Sequence, residues 1–359
     1  MGERQRPLEG VAIDPAFWAG RRVMVTGHTG FKGSWLCLWL NSLGARVAGY
    51  ALEPPTAPSH YDLARVAETM SHATHGDIRD AANLRAAFRA CQPEVVFHLA
   101  AQSLVGRSFA DPFETFTVNA AGTAMVLAAA CDLTTIRSVV VATSDKCYAD
   151  EDGTPRREDD RLGGSSPYAA SKACAEVLVA SCRASGLLSR VATARAGNVI
   201  GGGDYAQDRL VPDIVRAAAQ RKAVSLRRPT AVRPWQHVLE PLAGYLALAQ
   251  ATAADARFAT AWNFGPAETD SRPVRWVAMK VAAALDADIQ EAPRSPYPET
   301  AELRLNTDRA RRELGWKPAL SLEQAIAWTT DWYSAQARGQ DARALSLAQI
   351  RDYARLGAA

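Results

Sequence analysis

A tyrosine and a lysine four residues apart are the pair whose types and spacing point most clearly to chemistry. Tyr168 and Lys172 stand in the segment SPYAASK, where Ser166 suits the N-cap and Pro167 the first turn of a helix. Residues four apart share a helix face, and an ammonium beside a phenol favours the phenolate. Tyr168 then acts as a base near neutral pH. The alternative is that Lys172 only pairs with Glu176, one turn further on.

The segment TSDKCY, residues 143–148, follows a β-branched run and supplies an acid and a possible base. It lies at the carboxyl end of a predicted strand, the edge at which a doubly wound sheet presents its ligand site. There Ser144 can hydrogen-bond the hydroxyl that Tyr168 deprotonates. Asp145 and Lys146 are either an ordinary surface ion pair or an acid and a base at the reacting centre. Their position at the strand end favours the second interpretation.

A glycine-rich loop lies between the first predicted strand, which ends at Thr26, and a helix. Its G-x-x-G-x-x-G spacing permits a tight turn and lets backbone N–H groups at the helix N-terminus approach a pyrophosphate. A structural turn without a ligand is the alternative, but the strand before and the helix after favour a dinucleotide. The predicted contact residues of the loop are Gly27, His28, Thr29, Gly30, Phe31, Lys32 and Gly33.

The acidic residue that would hold the adenosine ribose is not obvious. The second predicted strand ends near Ala51, close to the usual acidic position, and Glu53 is a partial substitute. His28 and Lys32 either contact the adenosine ribose or the phosphates instead, or are solvated side chains of the loop. No arginine directly follows this strand, which favours NAD over NADP. Asp77 is a plausible cap for the adenine amino group.

The elements that must position these residues alternate between strands and helices. The strand candidates are RRVMVTG, ARVAGYAL, EVVFHLAA, SVVVATS and RVATARAGNVI, and the helical patterns cover residues 34–43, 81–91, 114–132 and 167–185. This alternation predicts an α/β fold with a Rossmann-like doubly wound parallel sheet. From residue 201 glycine, proline and arginine become frequent, before one more strand at 261–265. We therefore expect a smaller, interleaved C-terminal substrate domain and, at 344–356, an amphipathic helix.

Composition and charge narrow the class of protein. The chain has 359 residues, of which 48% are hydrophobic and 22% charged, as in soluble proteins with a sizeable core. A net charge of +3 from dispersed basic residues predicts no nucleic-acid partner. Without a signal-peptide pattern or an apolar run of membrane-spanning length, we expect a cytoplasmic protein with no membrane partner. The six cysteines lack C-x-x-C spacing, which predicts neither a metal site nor a disulfide framework.

These motifs resemble the extended short-chain dehydrogenase/reductase superfamily, which carries the T-G-x-x-G-x-x-G loop, a Ser or Thr, and Y-x-x-x-K. Within it, four stretches are similar to the CDP-glucose 4,6-dehydratase family: GHTGFKGSWL, TSDKCY, ARAGNVIGGGD and RPWQHVLEPLAGYL. The similarity runs from about residue 18 to 332 and includes AQI at 348–350. The dTDP-glucose dehydratases have Asp-Glu where this chain has Asp145-Lys146.

The resemblance implies an NAD-dependent hydro-lyase that turns CDP-D-glucose into CDP-4-dehydro-6-deoxy-D-glucose, an early step toward deoxy sugars of surface polysaccharides such as O-antigen. Tyr168 would take the C4 hydroxyl proton during oxidation. Water would then leave across C5 and C6, with Asp145 as the acid and Lys146 as the base, before C6 is reduced. An ammonium accepts no proton, so Lys146 must be uncharged or only stabilise the enolate. The implied catalytic residues are Ser144, Asp145, Lys146, Tyr168 and Lys172.

Further site residues follow from matching positions. NAD contacts are expected from the glycine loop, Tyr168 and Lys172, together with Asp77, Ile78, Leu99, Ala100 and Ala101. Contacts with the nucleotide sugar are expected from Gln102, Ser103, Arg107, Asn198, Arg209, Arg233 and His237. The planar fork of Arg233 suits a pyrophosphate, although it could stack on Trp235 instead. His237 stands in an apolar neighbourhood and is either a ligand contact or a structural histidine.

The expected domains are an N-terminal extension (1–17), an NAD-binding domain (18–200 and 233–266), a nucleotide-sugar-binding domain (201–232 and 267–335) and a helical tail (336–359). The superfamily implies a homodimer or a dimer of dimers through the helices at 114–132 and 167–185. Another nucleotide-sugar dehydratase, a 4-epimerase, or a non-catalytic NAD-binding regulator would share this fold. The presence of Ser144, Tyr168 and Lys172 argues against the regulator.

Overall fold

The computed structural model describes residues 13–149, 152–291 and 300–357, so most of the predicted N-terminal extension lies outside the described residues. The strands are β1 (Arg22–Thr26), β2 (Arg46–Ala51), β3 (His72–His75), β4 (Val95–His98), β5 (Ser138–Ala142), β6 (Val191–Ala196), β7 (Asn198–Ile200), β8 (Val224–Leu226), β9 (Val232–His237), β10 (Ala261–Phe264), β11 (Ser271–Pro273) and β12 (Ile289–Glu291).

Helices connect and cover these strands. They are α1 (Pro15–Trp18), α2 (Phe31–Ser42), α3 (His60–Leu63), α4 (Ala81–Cys91), α5 (Val105–Ala110), α6 (Pro112–Phe116), α7 (Gly122–Cys131), α8 (Pro167–Ala184), α9 (Leu210–Gln220), α10 (Leu239–Ala254), α11 (Val274–Leu285), α12 (Asp308–Glu313), α13 (Leu322–Ala337) and α14 (Ala342–Gly357). A π-helical turn, Thr117–Ala121, joins α6 to α7. Short 3₁₀ turns lie at Val66–Thr69, Asp145–Cys147, Ala256–Phe258 and Glu268–Asp270.

The central sheet has seven strands in the order β10-β6-β5-β4-β1-β2-β3, and every neighbouring pair is parallel. The prediction of a doubly wound sheet is therefore confirmed, as is the late return of the chain to the sheet at β10. The strand order reverses between β1 and β4, and in such sheets ligands bind outside the carboxyl ends of the strands at this point.

Apart from the edge strand β3, the strands of the central sheet are buried on both faces because helices cover the two sides of the sheet. Val23 and Val25 of β1 pack into a core that includes α2 and α10, whereas Met24 packs into a second core with α4 and α7. Alternate side chains of a strand point to opposite faces, so a continuous apolar run is what a doubly covered strand requires. The edge strand β3 has mostly exposed residues and was not among the predicted strands.

Two smaller sheets lie outside the central one. The first has the order β11-β9-β7, and the second pairs β12 with β8. β9 pairs in parallel with β7 and antiparallel with β11. The region that begins at residue 201 therefore contributes α9 and β8 before the chain returns to pair with β7.

The last helix, α14, agrees with the amphipathic helix predicted at 344–356 and packs against the rest of the molecule through polar contacts. Its Ser346 hydroxyl lies 2.9 Å from Nε2 of His60, and the indole N–H of Trp332 donates to the same hydroxyl at 3.0 Å. The other ring nitrogen of His60 lies 2.7 Å from the hydroxyl of Ser34 on α2. The tail is thus linked to the helix that follows the glycine loop.

Among the described residues, no helix has the length and apolar character needed to span a membrane. The same residues contain no group of His, Cys, Asp and Glu side chains that could hold a metal ion. All six cysteines are free thiols.

Candidate active site

A cleft of about 1360 Å³ opens at the carboxyl ends of the central strands. The glycine loop, the segments that follow β4 and β5, the start of α8, and the region from β7 to β8 all contribute to its walls. Most of the predicted site residues line this one cleft. The exceptions are the two histidines, His28 and His237, which are absent from its walls.

The glycine loop has the shape that a pyrophosphate requires. A Cβ atom at Gly33 would lie 2.0 Å from the carbonyl oxygen of Gly27, and one at Gly27 would lie 2.6 Å from the backbone nitrogen of Ala100. Gly27 also has a φ of +79°, which disfavours other residues. Gly30 is the N-cap of α2 and offers no side chain to the first-turn N–H groups. These donors suit an anion, so the residues present fit a dinucleotide pyrophosphate.

His28 is absent from the cleft walls, so its surroundings differ from both alternatives that the sequence left open. Its ring is fully buried beneath the loop, 5.4 Å from the ring of Tyr61, and a Cβ at Gly49 would collide with it. Burial lowers the pKa of His28 to about 4, so the ring is neutral near pH 7. His28 is therefore a core residue that supports the loop from below.

Two acidic residues lie where the adenosine was expected. Glu53 pairs with His75, and Asp77 accepts a bond from Nε of Arg79 at 3.0 Å. Both acids line the cleft together with Ala51 and Ile78. The carboxylate of Asp77 is thus already held by an arginine, which competes with its expected role as a cap for adenine.

Lys32 lines the cleft and is partly buried. The charged groups acting on it are Arg209, Lys172, Asp145 and Lys146. Burial, with the three cations, lowers the pKa of Lys32 to about 7, and Asp145 acts in the opposite direction. The expected contact of Lys32 with the adenosine ribose or the phosphates stays a prediction.

The segment that follows β4 is held by an asparagine that sequence reasoning missed. The backbone N–H of Gln102 donates to the Asn119 side chain at 2.8 Å, and the Asn119 amide donates to the hydroxyl of Ser171 at 2.9 Å. Asn119 lies in the π-helical turn, a distortion frequent at functional sites. The Gln102 amide itself donates to Leu104 and Thr115, so this side chain is tied to the cleft wall.

The tyrosine and lysine lie on α8 as the sequence predicts, and both are buried. The hydroxyl of Ser166 caps the helix by accepting from the Ala169 N–H at 3.1 Å. Lys172 donates to the carbonyl of Ala142, at the end of β5, over 3.1 Å. This bond fixes the second turn of α8 against the strand end that carries the serine.

The pKa values of Tyr168 and Lys172 differ from what the sequence predicts, namely a phenolate favoured by a neighbouring ammonium. Burial raises the pKa of Tyr168 to about 12, whereas Ser144 and Arg209 act to lower it. Burial lowers the pKa of Lys172 to about 8. The predicted activation of Tyr168 by Lys172 is opposed by the loss of solvent, because an apolar surrounding disfavours both the phenolate and the ammonium.

Ser144, Asp145 and Lys146 form a compact group directly after β5. The Ser144 hydroxyl donates to Oδ1 of Asp145 at 3.0 Å, and Lys146 Nζ donates to the same oxygen at 3.2 Å. Oδ2 of Asp145 is buried and has no hydrogen-bond partner within the described part of the chain. A buried carboxyl oxygen without a donor is suited to carry a proton.

A second acid–base pair lies beneath this group, and it settles the alternative interpretation of Lys172. Glu176 accepts from Arg195 at 2.8 Å and from Thr193 at 2.7 Å, and Thr143 is its third donor. Although burial opposes the charge, Arg195 and these donors hold the pKa of Glu176 below its usual value. Lys172 and Glu176 are both buried, so a solvated surface pair between them is wrong.

The opposite wall of the cleft is rich in arginine. Arg209 donates to Asp204 at 2.9 Å and to the hydroxyl of Ser103 at 2.8 Å, which joins two of the predicted substrate residues. Arg233 is mostly buried and donates to the carbonyl of Val232 at 2.9 Å. Asp204 was not predicted, and its signal was the GGGD sequence that follows β7.

Three other predicted substrate residues have different surroundings. The side-chain amide oxygen of Asn198, Oδ1, is buried beside the cleft and accepts no bond from the described residues. Arg107 lines the cleft but pairs with Glu114 through two bonds of 2.8 Å. His237 is fully buried between Trp35 and Trp328, and burial lowers its pKa to about 3. These surroundings favour the structural alternative for His237, and its contact with the substrate stays a prediction.

A glycine loop after β1, a serine after β5, and a tyrosine and lysine on the next helix, placed on a sheet of this order, define an extended short-chain dehydrogenase/reductase. The family model described as GDP-mannose 4,6 dehydratase matches residues 24–329, and this chain belongs to that family.

Comparison with individual proteins agrees with this assignment. The chain is 42% identical over 355 residues to a CDP-glucose 4,6-dehydratase of Salmonella typhimurium, covering 95% of this chain and 98% of that protein. It is 30% identical to a dTDP-glucose 4,6-dehydratase of Streptomyces griseus, covering 87% and 93% respectively. Among solved structures, DesIV, a dTDP-glucose 4,6-dehydratase from Streptomyces venezuelae with NAD bound, has a TM-score of 0.78. That match has 26% identity and covers 89% of this chain and 98% of DesIV.

Proposed function

We propose that this protein converts CDP-D-glucose into CDP-4-dehydro-6-deoxy-D-glucose and water, with NAD held by the glycine loop. The observation that carries the proposal is the group at the end of β5, where an acid and a lysine contact each other 3.2 Å apart beside a buried tyrosine. A 4-epimerase needs only the tyrosine and the cofactor, whereas elimination of water also needs an acid and a base. The similarity to the Salmonella protein supports CDP as the nucleotide.

NAD held by the glycine loop would supply the hydride acceptor for C4 and the hydride donor for C6. Tyr168 removes the proton of the C4 hydroxyl, with the Ser144 hydroxyl beside its phenol to orient the same substrate group. A positively charged nicotinamide ring would favour the phenolate and so act against the effect of burial on Tyr168. Lys172 holds the helix to the strand end through the Ala142 carbonyl.

Elimination requires a proton to leave C5 and another to reach the C6 hydroxyl. In our proposal, Lys146 takes the C5 proton while Asp145 donates one to the departing water, and a C5–C6 double bond forms. For both roles, the proton that the pair shares must reside on Asp145, so that Lys146 is uncharged. The orphan oxygen Oδ2 gives Asp145 a place for that proton. After hydride reaches C6, Lys146 returns its proton to C5.

The protons balance if Tyr168 resupplies Asp145. At the end of a turnover Tyr168 holds the proton from the C4 hydroxyl, and Asp145 has lost one to water. The Ser144 hydroxyl contacts both groups, at 3.0 Å in the case of Asp145. A proton can therefore pass from Tyr168 through Ser144 to Asp145 without solvent. No net proton is consumed in this cycle.

Product analysis tests the proposed function. The protein would be incubated with CDP-, dTDP-, UDP- and GDP-glucose, and the products analysed by mass spectrometry and NMR. We expect a 4-keto-6-deoxy sugar, 18 mass units lighter than the substrate, with CDP-glucose as the preferred substrate. A C4 epimer of unchanged mass would contradict the dehydratase, and a preference for another nucleotide would contradict CDP. Tyr168→Phe is the control, because it should abolish turnover without loss of NAD.

The role of Lys146 is tested separately by isotope exchange. A Lys146→Met variant in deuterated water should incorporate deuterium at C5 at least about a hundredfold more slowly than the wild type, as expected when a general base is lost. Exchange at the wild-type rate would exclude Lys146 as the C5 base. It would leave the stabilisation of the enolate as its role.

We also propose that the protein is a homodimer that works in the cytoplasm. Phe113 on α6 and Val177 on α8 are exposed by 83% and 58%, and Phe116 is partly exposed beside them. Exposed apolar residues on adjacent helices are typical of an interface. Sedimentation of a Phe113→Asp variant tests the dimer, because the introduced charge should shift the wild-type dimer toward monomer. An unchanged oligomeric state would exclude this face as the interface.

A further inference from the structure

Asp204 is a buried carboxylate in the wall of the cleft, and its charged partner is an arginine five residues later. Its side chain has only 5% of its surface exposed. Oδ1 accepts from the backbone N–H of Ala206 at 3.1 Å, and Oδ2 accepts from a terminal nitrogen of Arg209 at 2.9 Å. Both oxygens of the carboxylate have a donor, so the group is held in one orientation.

The backbone that carries Asp204 is fixed by aromatic side chains. The indole N–H of Trp35 on α2 donates to the carbonyl of Gly202 at 2.9 Å, and the hydroxyl of Tyr333 on α13 donates to the carbonyl of Asp204. A Cβ atom at Gly202 would lie 2.1 Å from the ring of Trp332, so the segment packs directly on this ring. Asp204 is thus a rigid support in the cleft wall.

Arg209 extends from this support to another part of the wall. Its second terminal nitrogen donates at 2.8 Å to the hydroxyl of Ser103, in the segment that follows β4. A guanidinium has five N–H donors, and these two bonds are the ones that the described residues accept from it. The Arg209 side chain is 33% exposed and lines the cleft. Its remaining donors are therefore available to a ligand.

A planar guanidinium with donors to spare suits a phosphate group. The proposed ligands of the cleft, NAD and a nucleotide sugar, each contain a diphosphate. An arginine side chain loses conformational entropy when a ligand immobilises it, and this loss is smaller if the protein has already fixed the side chain. The bonds of Arg209 to Asp204 and Ser103 fix it in this way.

A carboxylate beside a phosphate-binding arginine has two opposite effects on binding. Its negative charge repels the phosphate and weakens binding, whereas its hold on the guanidinium strengthens binding. Removal of the charge therefore raises the affinity if Asp204 only competes for the arginine. It lowers the affinity if Asp204 positions the arginine.

We propose that Asp204 is a positioning residue that holds the guanidinium of Arg209 in the cleft for a diphosphate group of the bound ligand. This inference rests on the proposed function only for the choice of CDP and CDP-glucose as probes. Asp204 acts through Arg209 and makes no contact with the reacting atoms.

A double-mutant cycle of Asp204→Asn and Arg209→Met tests the inference by calorimetric titration of the NAD-loaded protein with CDP. The asparagine oxygen can still accept from the Ala206 N–H, whereas its amide nitrogen is a donor and cannot hold the arginine. We expect Asp204→Asn to weaken CDP binding about tenfold, as for a lost charge-assisted bond. Arg209→Met should weaken it at least as much, and the double variant should match Arg209→Met within about twofold.

Two further measurements separate positioning from a general structural role. In turnover of CDP-glucose, Asp204→Asn should raise KM about tenfold and leave kcat within about threefold of the wild type. Thermal stability should stay near the wild-type value. The matched control is Asp352→Asn, which breaks an exposed pair with Arg355 at 3.1 Å outside the cleft and should change none of these quantities.

Release of NAD from the loaded protein, measured by ultrafiltration, separates the two sources of diphosphate. Retention at the wild-type level, with weaker CDP binding, would assign Arg209 to the nucleotide sugar. Faster release with unchanged CDP binding would keep the positioning role and assign the arginine to the dinucleotide.

Three results would overturn the inference: tighter CDP binding by Asp204→Asn, losses that multiply in the double variant, or lower stability with both affinities unchanged. If the wild type binds another nucleoside diphosphate instead of CDP, the proposed nucleotide is wrong, and the cycle applies to that nucleotide. Failure to bind any of the four nucleoside diphosphates would contradict the proposed function, and NAD release would then decide the role of Asp204.

Discussion

Two acid–base pairs lie one above the other at the end of β5, and they differ in how completely their carboxylates are satisfied. Asp145 and Glu176 are equally buried, each with 2% of its surface exposed. Glu176 is held by Arg195 and two threonines, whereas Asp145 has a serine and a lysine on one oxygen and, among the described residues, no partner for the other. Burial alone therefore does not distinguish the two acids, and we propose Asp145 as the reactive one because its second oxygen is unsatisfied.

The cations of the two pairs differ in the same way. The side chain of Arg195 is almost fully buried and also contacts the hydroxyl of Tyr148 at 2.8 Å. Lys146 keeps about a quarter of its side chain exposed to the cleft. A guanidinium cannot lose its proton in a protein, but an amine can. The lower pair, Glu176 with Arg195, is thus suited to fix the strand and the helix. The upper pair, Asp145 with Lys146, is suited to exchange protons.

We expect the largest effect, a loss of turnover, from substitution of Asp145, the proposed reactive acid. Asp145→Asn retains the shape but cannot supply the proton for the departing water, so we expect turnover to fall about a thousandfold. The free energy of unfolding should change little, because one oxygen of Asp145 lacks a partner already. Steady-state kinetics and thermal denaturation measure the two quantities. A large loss of stability with modest loss of turnover would reverse the assignment of the pairs.

Substitution of Glu176, the acid of the other pair, should lower stability. Glu176→Gln leaves the Arg195 charge buried without a counter-charge, which should lower the free energy of unfolding by about 3 to 5 kcal/mol in urea denaturation. A double variant, Glu176→Met with Arg195→Met, should recover part of this loss because no lone charge remains. If the double variant is as unstable as the single one, the hydrogen bonds rather than the charges stabilise this pair.

Glu240 is a third buried acid, and its titration should have a smaller effect on stability. Glu240 accepts from the backbone N–H groups of Ala319 and Leu320 and from the hydroxyl of Tyr353, and burial raises its pKa to about 7. Between the pKa of Glu240 in the unfolded chain and its raised pKa in the folded protein, only the folded protein keeps Glu240 protonated. This contribution to stability is therefore present at pH 4 and is lost as the pH rises through 7. We expect a loss of about 2 kcal/mol between pH 5 and pH 8.

Glu240→Gln should remove that pH dependence. The relevant measurement is the free energy of unfolding of the wild type minus that of the variant at pH 5 and at pH 8. This difference should be smaller at pH 8 than at pH 5, because the wild type loses stability over this range and the variant does not. A difference that is independent of pH would show that Glu240 titrates as an ordinary exposed acid.

The sheet and the reacting group could be predicted from the sequence because local patterns encode them. Strands buried on both faces require apolar runs, and α4 was predicted with the bounds that it has in the structure. The edge strand β3 was missed because His72–His75 is polar and mostly exposed, which leaves no apolar pattern to detect. Edge strands need fewer apolar residues than central ones.

The histidines and the lower pair could not be predicted because their roles depend on distant contacts. His28 and Lys32 belong to the same glycine-rich segment, yet His28 packs against Gly49 in the interior and Lys32 lines the cleft. Spacing in a loop does not say which way a side chain points. The partnership of Glu176 with Arg195 joins a helix to a strand 19 residues later, so Lys172 was the only partner that local spacing suggested.

The path of the chain between β7 and β9 has a consequence for how such enzymes diversify. Asn198 pairs with Trp235 and Ile200 with His237. Residues 201–231 therefore leave the three-stranded sheet at the end of β7 and re-enter it at the neighbouring strand β9. Every proposed acid and base precedes this segment, whereas Asp204 and Arg209 lie within it. A single recombination event spanning residues 201–231 could therefore exchange part of the substrate-facing wall while the inherited chemistry stays intact.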